Sequence, residues 1–414
     1  MARTIERRQF LAGALGVGAL GVAGGPLPLV RTRPRRVPTK KPAPSGSSAT
    51  GRHTLVLVTL YGGNDGLNTV VPYDDSVYVA RRGNIAIAPD KVLNIGNGYG
   101  LNPALPSFKA AWDAGQLAFI EGVGYPQPNL SHFQSMDIWQ SGSITGNEGS
   151  GWLGRWLDRS GKDPLQACSI GPTVMPAMAG TRRQAAALQD STYPGSQLPD
   201  ADAHFLSVYR ELELPIPGDS PLVRSVAGAG ASMLEVSKTV ARAMTAQHPP
   251  VYSIEVGDLG TQLGIVSQLI RANLPTEVYA VSQGGYDTHA GELEQQSTNL
   301  RQLDGAVGTF LSSIANSPRG AGTVVAIYTE FGRRVDSNAS GGSDHGTANN
   351  VYVLGPHVRG GFYGEPSSLS KLDENGNLIY TVDYRSVYAT LLEKVLGFES
   401  KSVLGHSYPT LGFA

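Results

Sequence analysis

Short, continuous apolar runs bounded by turn residues dominate the hydrophobic pattern of this chain. They lie at residues 55–60, 116–122, 277–281, 324–328 and 351–354. Runs of this kind predict strands of a parallel sheet, because both faces of such a strand are covered by apolar groups. Apolar residues at helical spacing predict helices over residues 102–114, 151–158, 221–245, 258–274, 295–314 and 384–396. Residues 73–100 show neither pattern, and we expect them to be irregular.

Polar residues with glycine neighbours follow the first of these strands. The sequence there is Tyr61-Gly-Gly-Asn64-Asp65-Gly66. Glycine lets the backbone turn sharply, and the functional groups of parallel sheets gather beyond the carboxyl ends of the strands. We therefore expect Asn64 and Asp65 to reach a ligand. The alternative is an Asn-Asp-Gly turn that has no further role.

A serine and a histidine follow the strand predicted at residues 116–122. Ser131 lies where a helix should begin, which makes it a natural N-cap residue. A serine in this position is also a candidate nucleophile, because the helix dipole and the free N–H groups favour a developing anion. His132 is a candidate to assist Ser131, or else it packs against the core.

An Asp-x-His pair follows the strand predicted at residues 277–281. Asp287 and His289 are separated by one residue. This spacing can place a carboxylate and an imidazole on one cation. The alternative is a hydrogen-bonded Asp–His pair that binds no metal.

The segment at residues 323–355 brings further acids and a histidine together. Its strand ends at Glu330, and a Gly/Ser-rich loop then delivers Asp344 and His345. Carboxylate and imidazole groups suit a hard or borderline divalent metal. Alternatively, Glu330 begins a helix and Asp344 fixes a turn. Arg333 is a candidate to hold the non-bridging oxygens of a substrate bidentately, unless it faces the solvent.

Charge is unevenly placed along the chain. The first 52 residues hold ten Lys/Arg and one Glu, whereas the 414-residue chain has a net charge of −1. The remainder is therefore mildly acidic, which excludes a general affinity for nucleic acid. Cys168 is the only cysteine, so neither an intramolecular disulfide nor a cysteine zinc site can form. Its apolar flanks predict a buried strand.

The N-terminus has the pattern of an export signal. Arg7 and Arg8 precede an Ala/Gly/Leu/Val run that reaches about Gly25 and is short for a membrane span. Residues 1–30 are interpreted as a twin-arginine signal, with the twin-arginine translocase as partner during export. The alternative is an uncleaved N-terminal anchor; otherwise no stable membrane span is expected. Residues 31–52 are basic and Pro/Ser-rich, which predicts a linker.

The ordered set of motifs resembles a known family. Asn64-Asp65-Gly66, Ser131-His132-Phe133, Tyr286-Asp-Thr-His289, Thr329-Glu-Phe-Gly-Arg333 and Ser343-Asp-His-Gly-Thr347 occur in this order. Together with the signal, they resemble the bacterial domain-of-unknown-function family 1501, which is grouped with alkaline phosphatases and sulfatases. The resemblance implies an α/β fold, a three-layer α/β/α sandwich with a largely parallel central sheet. It also implies one domain over residues 53–414, with a possible insertion at about 168–220.

The resemblance further implies roles for individual residues. Asp65 would be a metal ligand at the first strand, and Ser131 the nucleophile. Asp287, His289 and His345 would hold one divalent ion. Glu330 would bridge to a second ion, and the metals would be Zn, Mn, Mg or Ca.

Two positions depart from the pattern of the relatives. Glu330 stands where they have Asp, and Phe331 where they have His, so one metal site is either incomplete or completed by Asp344. A Cys-x-Pro-x-Arg signature does not occur, which disfavours a sulfatase that uses formylglycine.

Two hypotheses from different classes follow. The first is an exported metal-dependent hydrolase that acts on phosphate or sulfate esters through a Ser nucleophile or a metal-bound water. Its substrate would be a small-molecule or envelope-polymer ester, and its compartment the periplasm or the extracellular cell envelope. The alternative is a non-catalytic envelope binding or scaffold protein on the same fold, because a fold does not determine a function.

Overall fold

The computed structural model describes residues 53–146, 148–161, 163, 165–188, 236 and 238–414. The signal expected at residues 1–30, the linker at 31–52 and residues 189–220 of the possible insertion lie outside the described residues. Of the helix predicted over 221–245, only its end is described, and residues 238–246 are helical.

Fourteen strands occur in the described part of the chain. In sequence order, β1 to β7 are Thr54–Leu60, Val70–Val71, Leu93–Gly96, Tyr99–Leu101, Leu117–Gly124, Ala167–Ile170 and Ala186–Leu188. The strands β8 to β14 are Val278–Gln283, Thr323–Thr329, Arg333–Ser337, Ser343–His345, Asn349–Leu354, Gly361–Tyr363 and Val382–Asp383.

Nine α-helices are described besides the segment at 238–246. In sequence order, α1 to α5 are Gly66–Thr69, Ser76–Arg82, Pro106–Asp113, His132–Ser141 and Trp152–Ser160. The helices α6 to α9 are Gly257–Arg271, Glu292–Ile314, Tyr384–Thr390 and Ser400–Leu404. A π-helical turn, Leu391–Val395, continues α8.

A nine-stranded sheet forms the centre of the molecule. Its order is β13-β5-β12-β9-β1-β8-β6-β7, and β14 pairs with β5. The strand β1 is parallel to both β8 and β9. Consecutive side chains of β1 enter opposite cores: Val56 and Val58 pack in one, Leu55 and Leu57 in the other. Both faces of β1 are therefore buried, as the continuous apolar run predicted.

Helices cover both faces of the sheet. The core of one face includes Leu263 of α6 and Leu303 of α7, and the core of the other includes Trp139 of α4 and Trp152 of α5. This confirms the predicted α/β class with helices on both sides of a mainly parallel sheet. Cys168 is fully buried in β6, as its flanks predicted.

The strand β12 corrects one expectation. Residues 351–354 were expected to run parallel to the other strands, but β12 is antiparallel to both β5 and β9. A parallel return needs a crossover, usually a helix. The connection from β9 to β12 instead contains the antiparallel hairpin of β10 and β11, and the chain re-enters the sheet in the opposite direction.

Residues 73–100 are also more regular than expected. They contain α2, and β3 and β4 join β2 in a three-stranded antiparallel sheet. These elements have only two to seven residues, which is too short for a periodic pattern to be recognised. Within the described residues, no helix is long and apolar enough to cross a membrane.

Candidate functional site

The candidate site lies at the carboxyl ends of three neighbouring strands. In the sheet, β1 lies between β8 and β9, and Leu60 is in register with both Gln283 and Thr329. The three strands therefore end at the same level. The loops that follow them carry Asp287 and Glu330, which are far apart along the chain but meet at this edge of the sheet.

Asp287 lies at the centre of the site. Its Oδ1 accepts a hydrogen bond from Arg333 at 2.7 Å and lies 3.1 Å from His345 Nε2. Burial alone would raise the pKa of this carboxyl group. The hydrogen bonds from Arg333 and His345 and the positive charge of Arg333 outweigh that effect and lower the pKa to about 2. Asp287 is therefore ionised at neutral pH.

His289 and His345 face each other beside Asp287. Their Nε2 atoms are 3.0 Å apart, and His289 Nε2 is 3.0 Å from Asp287 Oδ1. Their Nδ1 atoms point outward: His345 Nδ1 lies 2.9 Å from the carbonyl oxygen of Leu130, and His289 Nδ1 lies 3.3 Å from Asp344 Oδ1. Both outer partners are hydrogen-bond acceptors, and Asp287 Oδ1 is an acceptor beside the two Nε2 atoms.

His132, the first residue of α4, lies between Glu330 and Asp287. Its Nδ1 lies 2.8 Å from Glu330 Oε1, and its Nε2 lies 3.4 Å from Asp287 Oδ2. This Nε2 is buried and makes no hydrogen bond to the described residues. The hydrogen bond to Glu330 raises the pKa of His132, although partial burial opposes the shift.

The donor atoms of these residues fit a divalent metal. The Nε2 atoms of His289 and His345 face each other across 3.0 Å, and both lie beside Asp287 Oδ1. Two imidazole nitrogens and a carboxylate oxygen that converge in this way are a donor set that suits a divalent cation. The three distances among these two nitrogens and Asp287 Oδ1 are 3.0–3.1 Å. The edge of a tetrahedral zinc site with bonds of about 2.0 Å is about 3.3 Å.

The structure brings four of the expected site residues into this cluster. The nearest donor atoms of His132, Asp287 and His345 all lie within 4.8 Å of one another, and His289 joins through the two contacts given above. The sequence had placed His132 with the serine rather than with the metal. Its histidine type and its position at a helix start were the only signals available.

Glu330 and Asp344 contact histidines of the cluster, whereas the sequence indicated both as metal ligands. Glu330 is 1% exposed and accepts hydrogen bonds from the Gly62 amide, the Thr329 hydroxyl and His132. Asp344 lies against His289 and accepts a hydrogen bond from Asn338. Carboxylates in such positions fix the ring orientation of metal-binding histidines.

Asp65 does not reach the cluster. It is fully buried, and both of its oxygens accept hydrogen bonds from Arg82, at 2.5 and 2.9 Å. It also caps α1 through the Leu67 amide. Burial would raise the pKa of Asp65, but the charge of Arg82 outweighs it and lowers the pKa. The expected ligand role is replaced by a buried ion pair.

Asn64 and Arg333 are also buried and bind internal partners. Asn64 is fully buried and bonds to Tyr352, Thr69 and Gln296. Arg333 is 1% exposed, and its guanidinium donates to Asp287 and to four backbone carbonyl groups, of Gly62, Gly63, Tyr286 and Ser343. All three nitrogen atoms of the guanidinium donate inside the protein, so Arg333 ties the loops of the site together.

Ser131 is the exposed N-cap residue of α4. Its side chain does not cap the helix, and its hydroxyl group makes no hydrogen bond to the described residues. It directly precedes His132. The hydroxyl group is therefore available to solvent beside the cluster.

Two buried residues of the neighbourhood gave no signal in the sequence. Arg82 lies 3.5 Å from Glu292, which also bonds to Ser343 of the hairpin. These side chains connect α2 and α7 with the strand that carries His345. Only tertiary packing brings them together.

Comparison with solved structures finds proteins of similar fold. A protein in the alkaline phosphatase superfamily from Vibrio parahaemolyticus is 10% identical, with a TM-score of 0.39 over 84% of this chain and 67% of that chain. The C-terminal periplasmic domain of EcEptC from Escherichia coli, in a complex with Zn, is 9% identical, with a TM-score of 0.32 over 88% of this chain and 84% of that one.

Phosphonoacetate hydrolase from Sinorhizobium meliloti 1021, in complex with phosphonoformate, is 11% identical, with a TM-score of 0.29. That similarity covers 68% of this chain and 57% of the hydrolase. At such identities the similarity concerns the fold alone. No curated protein is found to match this chain in sequence.

A family model described as "Protein of unknown function (DUF1501)" matches residues 92–404. The match spans three quarters of the chain and includes His132, Asp287, His289 and His345. Asp65, which lies outside the cluster, also lies outside the match. The chain belongs to the DUF1501 family of proteins of unknown function.

Proposed function

We propose that this protein is an exported, metal-dependent hydrolase of phosphate or sulfate esters. The observation that carries the proposal is the convergence of His289 Nε2, His345 Nε2 and Asp287 Oδ1, which lie 3.0–3.1 Å from one another. A divalent cation would be held by all three atoms. His132, whose buried Nε2 lacks a hydrogen-bond partner among the described residues, would complete the donor set.

A divalent metal in such a site supplies positive charge that stabilises the anionic oxygens of an ester undergoing hydrolysis. The protein's own residues would hold it in place. Arg333 keeps Asp287 ionised, and Glu330 and Asp344 fix the rings of His132 and His289 with Nε2 turned inward. The side chains of Asp287 and His289 are 49% and 44% exposed, so a substrate can reach them.

Ser131 is the candidate nucleophile. Its free hydroxyl group lies at the N-terminus of a ten-residue helix, where backbone N–H groups favour negative charge. The Ser131 oxygen, or that of a water molecule, would lose its proton to solvent and bond to the phosphorus or sulfur atom. The ester oxygen would leave with the electrons of the broken bond and take up a proton from solvent. Where Ser131 is the nucleophile, a water molecule would then release the phosphate or sulfate from the serine, whose oxygen would regain a proton.

Export rests on the sequence of residues 1–30, with the twin-arginine translocase as the partner. The acceptor compartment would be the periplasm or the cell envelope. A fusion of these residues to a reporter that is active only after export would test this part separately. Replacement of Arg7 and Arg8 by Lys should abolish the export of the reporter.

Elemental analysis of the purified full-length protein tests the metal site. We expect one or two ions of Zn, Mn, Mg or Ca per chain, and their loss in Asp287→Ala and in His345→Ala. His406→Ala is a matched control, because His406 is exposed and lies outside the site. Absence of metal from the reconstituted wild-type protein would overturn the proposal.

Turnover is measured next, with an aryl phosphate and an aryl sulfate as substrates. Hydrolysis that disappears in Asp287→Ala and persists in His406→Ala supports the hydrolase. Bound metal without turnover on either ester would favour the alternative, a binding or scaffold protein of the envelope.

A further inference from the structure

One face of helix α4 leads away from the histidine cluster. Phe133, Asp137 and Gln140 are spaced four and three residues apart, which places them on the same side of the helix. At 1.5 Å per residue, Gln140 lies about 10 Å along the axis from Phe133. Because Phe133 directly follows His132, this face begins beside the candidate metal site.

The far end of this face opens into a cavity beside the loop that precedes α5. The cavity has a volume of about 390 Å³ and is lined by Asp137, Gln140, Ser141, Ser150 and Pro176, with several glycines. Small-molecule sites have volumes on the order of 300–1,000 Å³. Among the described lining residues, Asp137 is the one with an acidic side chain. Its carboxylate group would repel a phosphate or sulfate group.

The cavity offers hydrogen-bond acceptors. Gln140 donates from Nε2 to the Tyr61 hydroxyl at 3.0 Å, which fixes the amide plane. Its Oε1 has no partner in the described part of the chain, although the residue is only 5% exposed. Asp137 adds an exposed carboxylate group. Such a lining is complementary to a ligand that is rich in hydroxyl groups.

Phe133 supplies an apolar surface on the helix face that carries Asp137 and Gln140. Its side chain is 90% exposed. A single exposed apolar residue is common and by itself indicates nothing. Here, however, Phe133 shares a helix face with two residues of the cavity, Asp137 and Gln140, and directly follows His132. Covering it would remove apolar area from water, and the negative face of the ring attracts polarised C–H groups.

We propose that this face of α4 and the cavity form a subsite for a neutral saccharide portion of the substrate. The C–H face of one sugar ring would lie on Phe133, and the hydroxyl groups of the next would donate to Asp137 and to Gln140 Oε1. This inference rests on the function proposed above, since it places the ester group at the histidines and the sugar along α4. Binding of the sugar itself requires no metal.

Binding of neutral tetrasaccharides to the full-length protein tests the subsite. The probes are maltotetraose, cellotetraose and chitotetraose, titrated to millimolar concentration by calorimetry and by saturation-transfer NMR, with a chelator present. We expect at least one of them to bind. Phe133→Ala and Asp137→Ala should each weaken that binding roughly five- to tenfold, as for the loss of one aromatic or charge-assisted contact. Val79→Ala, which shortens an exposed apolar residue on α2, should not.

The outcomes separate this inference from the proposed function. Ester hydrolysis without binding of any saccharide would overturn the subsite and leave the hydrolase standing. Saccharide binding that weakens in both variants, without ester hydrolysis, would support the subsite and count against the hydrolase. Binding that is equal in wild type, Phe133→Ala and Asp137→Ala would place the sugar elsewhere and overturn the subsite. Choline is a cation that an aromatic ring and a carboxylate group can also bind. Binding of choline in preference to every saccharide would therefore overturn the subsite as well.

Discussion

Glu330 accepts a hydrogen bond from His132 Nδ1 at 2.8 Å, although the two residues are 198 positions apart in the chain. The bond turns His132 Nε2 toward Asp287, where it lies 3.4 Å from Oδ2. The orientation of His132 therefore depends on a carboxylate that the sequence indicated as a metal ligand in its own right.

Removing this carboxylate should weaken metal binding. Glu330→Leu takes away the acceptor that fixes His132, and we expect about 10- to 100-fold lower metal affinity. Glu330→Gln keeps an acceptor oxygen, so its loss of metal affinity should be smaller. Competition with a zinc chelator measures both. Equal affinity in wild type and Glu330→Leu would show that Glu330 does not position His132.

Asp65, Arg82 and Glu292 form a buried charged cluster, and we expect mutations of its members to lower the free energy of unfolding by different amounts. Arg82→Met leaves Asp65 buried and unpaired, and we expect the free energy of unfolding to fall by about 3–5 kcal/mol. Burial and the negative charge of Asp65 raise the pKa of Glu292. In Asp65→Asn that charge is gone, so Glu292 can ionise and pair with Arg82, now at 3.5 Å.

Asp65→Asn should therefore lower the free energy of unfolding clearly less than Arg82→Met does. Urea denaturation of the two variants at neutral pH measures the difference. If Asp65→Asn proves as costly as Arg82→Met, Glu292 does not take over the ion pair.

Glu121 should make stability depend on pH. It is 7% exposed, and burial raises its pKa from 4.5 to about 7, partly offset by a hydrogen bond with Tyr99. Below pH 4.5 the folded and unfolded states are both protonated. Between pH 4.5 and 7 the unfolded state releases the proton first, so the free energy of unfolding should fall with rising pH, by about 3 kcal/mol in total. Above pH 7 this contribution is constant.

Glu121→Gln removes the titrating group. We expect the difference in unfolding free energy between pH 4.5 and pH 8 to shrink by about the same amount. Denaturant titrations of both proteins at the two pH values measure it. A pH dependence identical to that of the wild type would show that Glu121 is not the group responsible.

Gly62 should tolerate no side chain. Its φ is +116°, and a Cβ atom there would lie 2.5 Å from the backbone nitrogen of Asp287. Gly62→Ala should cost about 1–3 kcal/mol in backbone strain and displace Asp287, which would lower metal content as well. Gly115→Ala is the matched control, since its φ is +71° and no atom lies within 4 Å of the added Cβ.

Thermal unfolding and elemental analysis of the two glycine variants check this prediction. Gly115→Ala should show only the backbone cost and keep its metal. Equal loss of stability in both variants, with metal retained in both, would mean that the close approach of Gly62 to Asp287 is unimportant.

Hydrophobic pattern and motif spacing located most of the fold. The apolar runs at residues 55–60, 277–281 and 324–328 became the adjacent strands β1, β8 and β9, because a run buried on both faces can occupy only the interior of a layered sheet. The sequence failed where the pattern was short, as in the small sheet of β2, β3 and β4. It also failed for β12, because an apolar run carries no information about strand direction.

The residues of the candidate site were likewise predicted only in part. The sequence by itself indicated the Asp287–His289 pair and, separately, Asp344 and His345, since Asp, His and glycine-bounded loops at strand ends can be recognised locally. The family resemblance added the grouping of His345 with Asp287 and His289. Only the tertiary structure decided that His132 joins them, that Glu330 and Asp344 support histidines, and that Asp65 and Arg333 bind internal partners. These partners lie 17 to 270 positions apart in the chain, and the local sequence does not show which of them will meet.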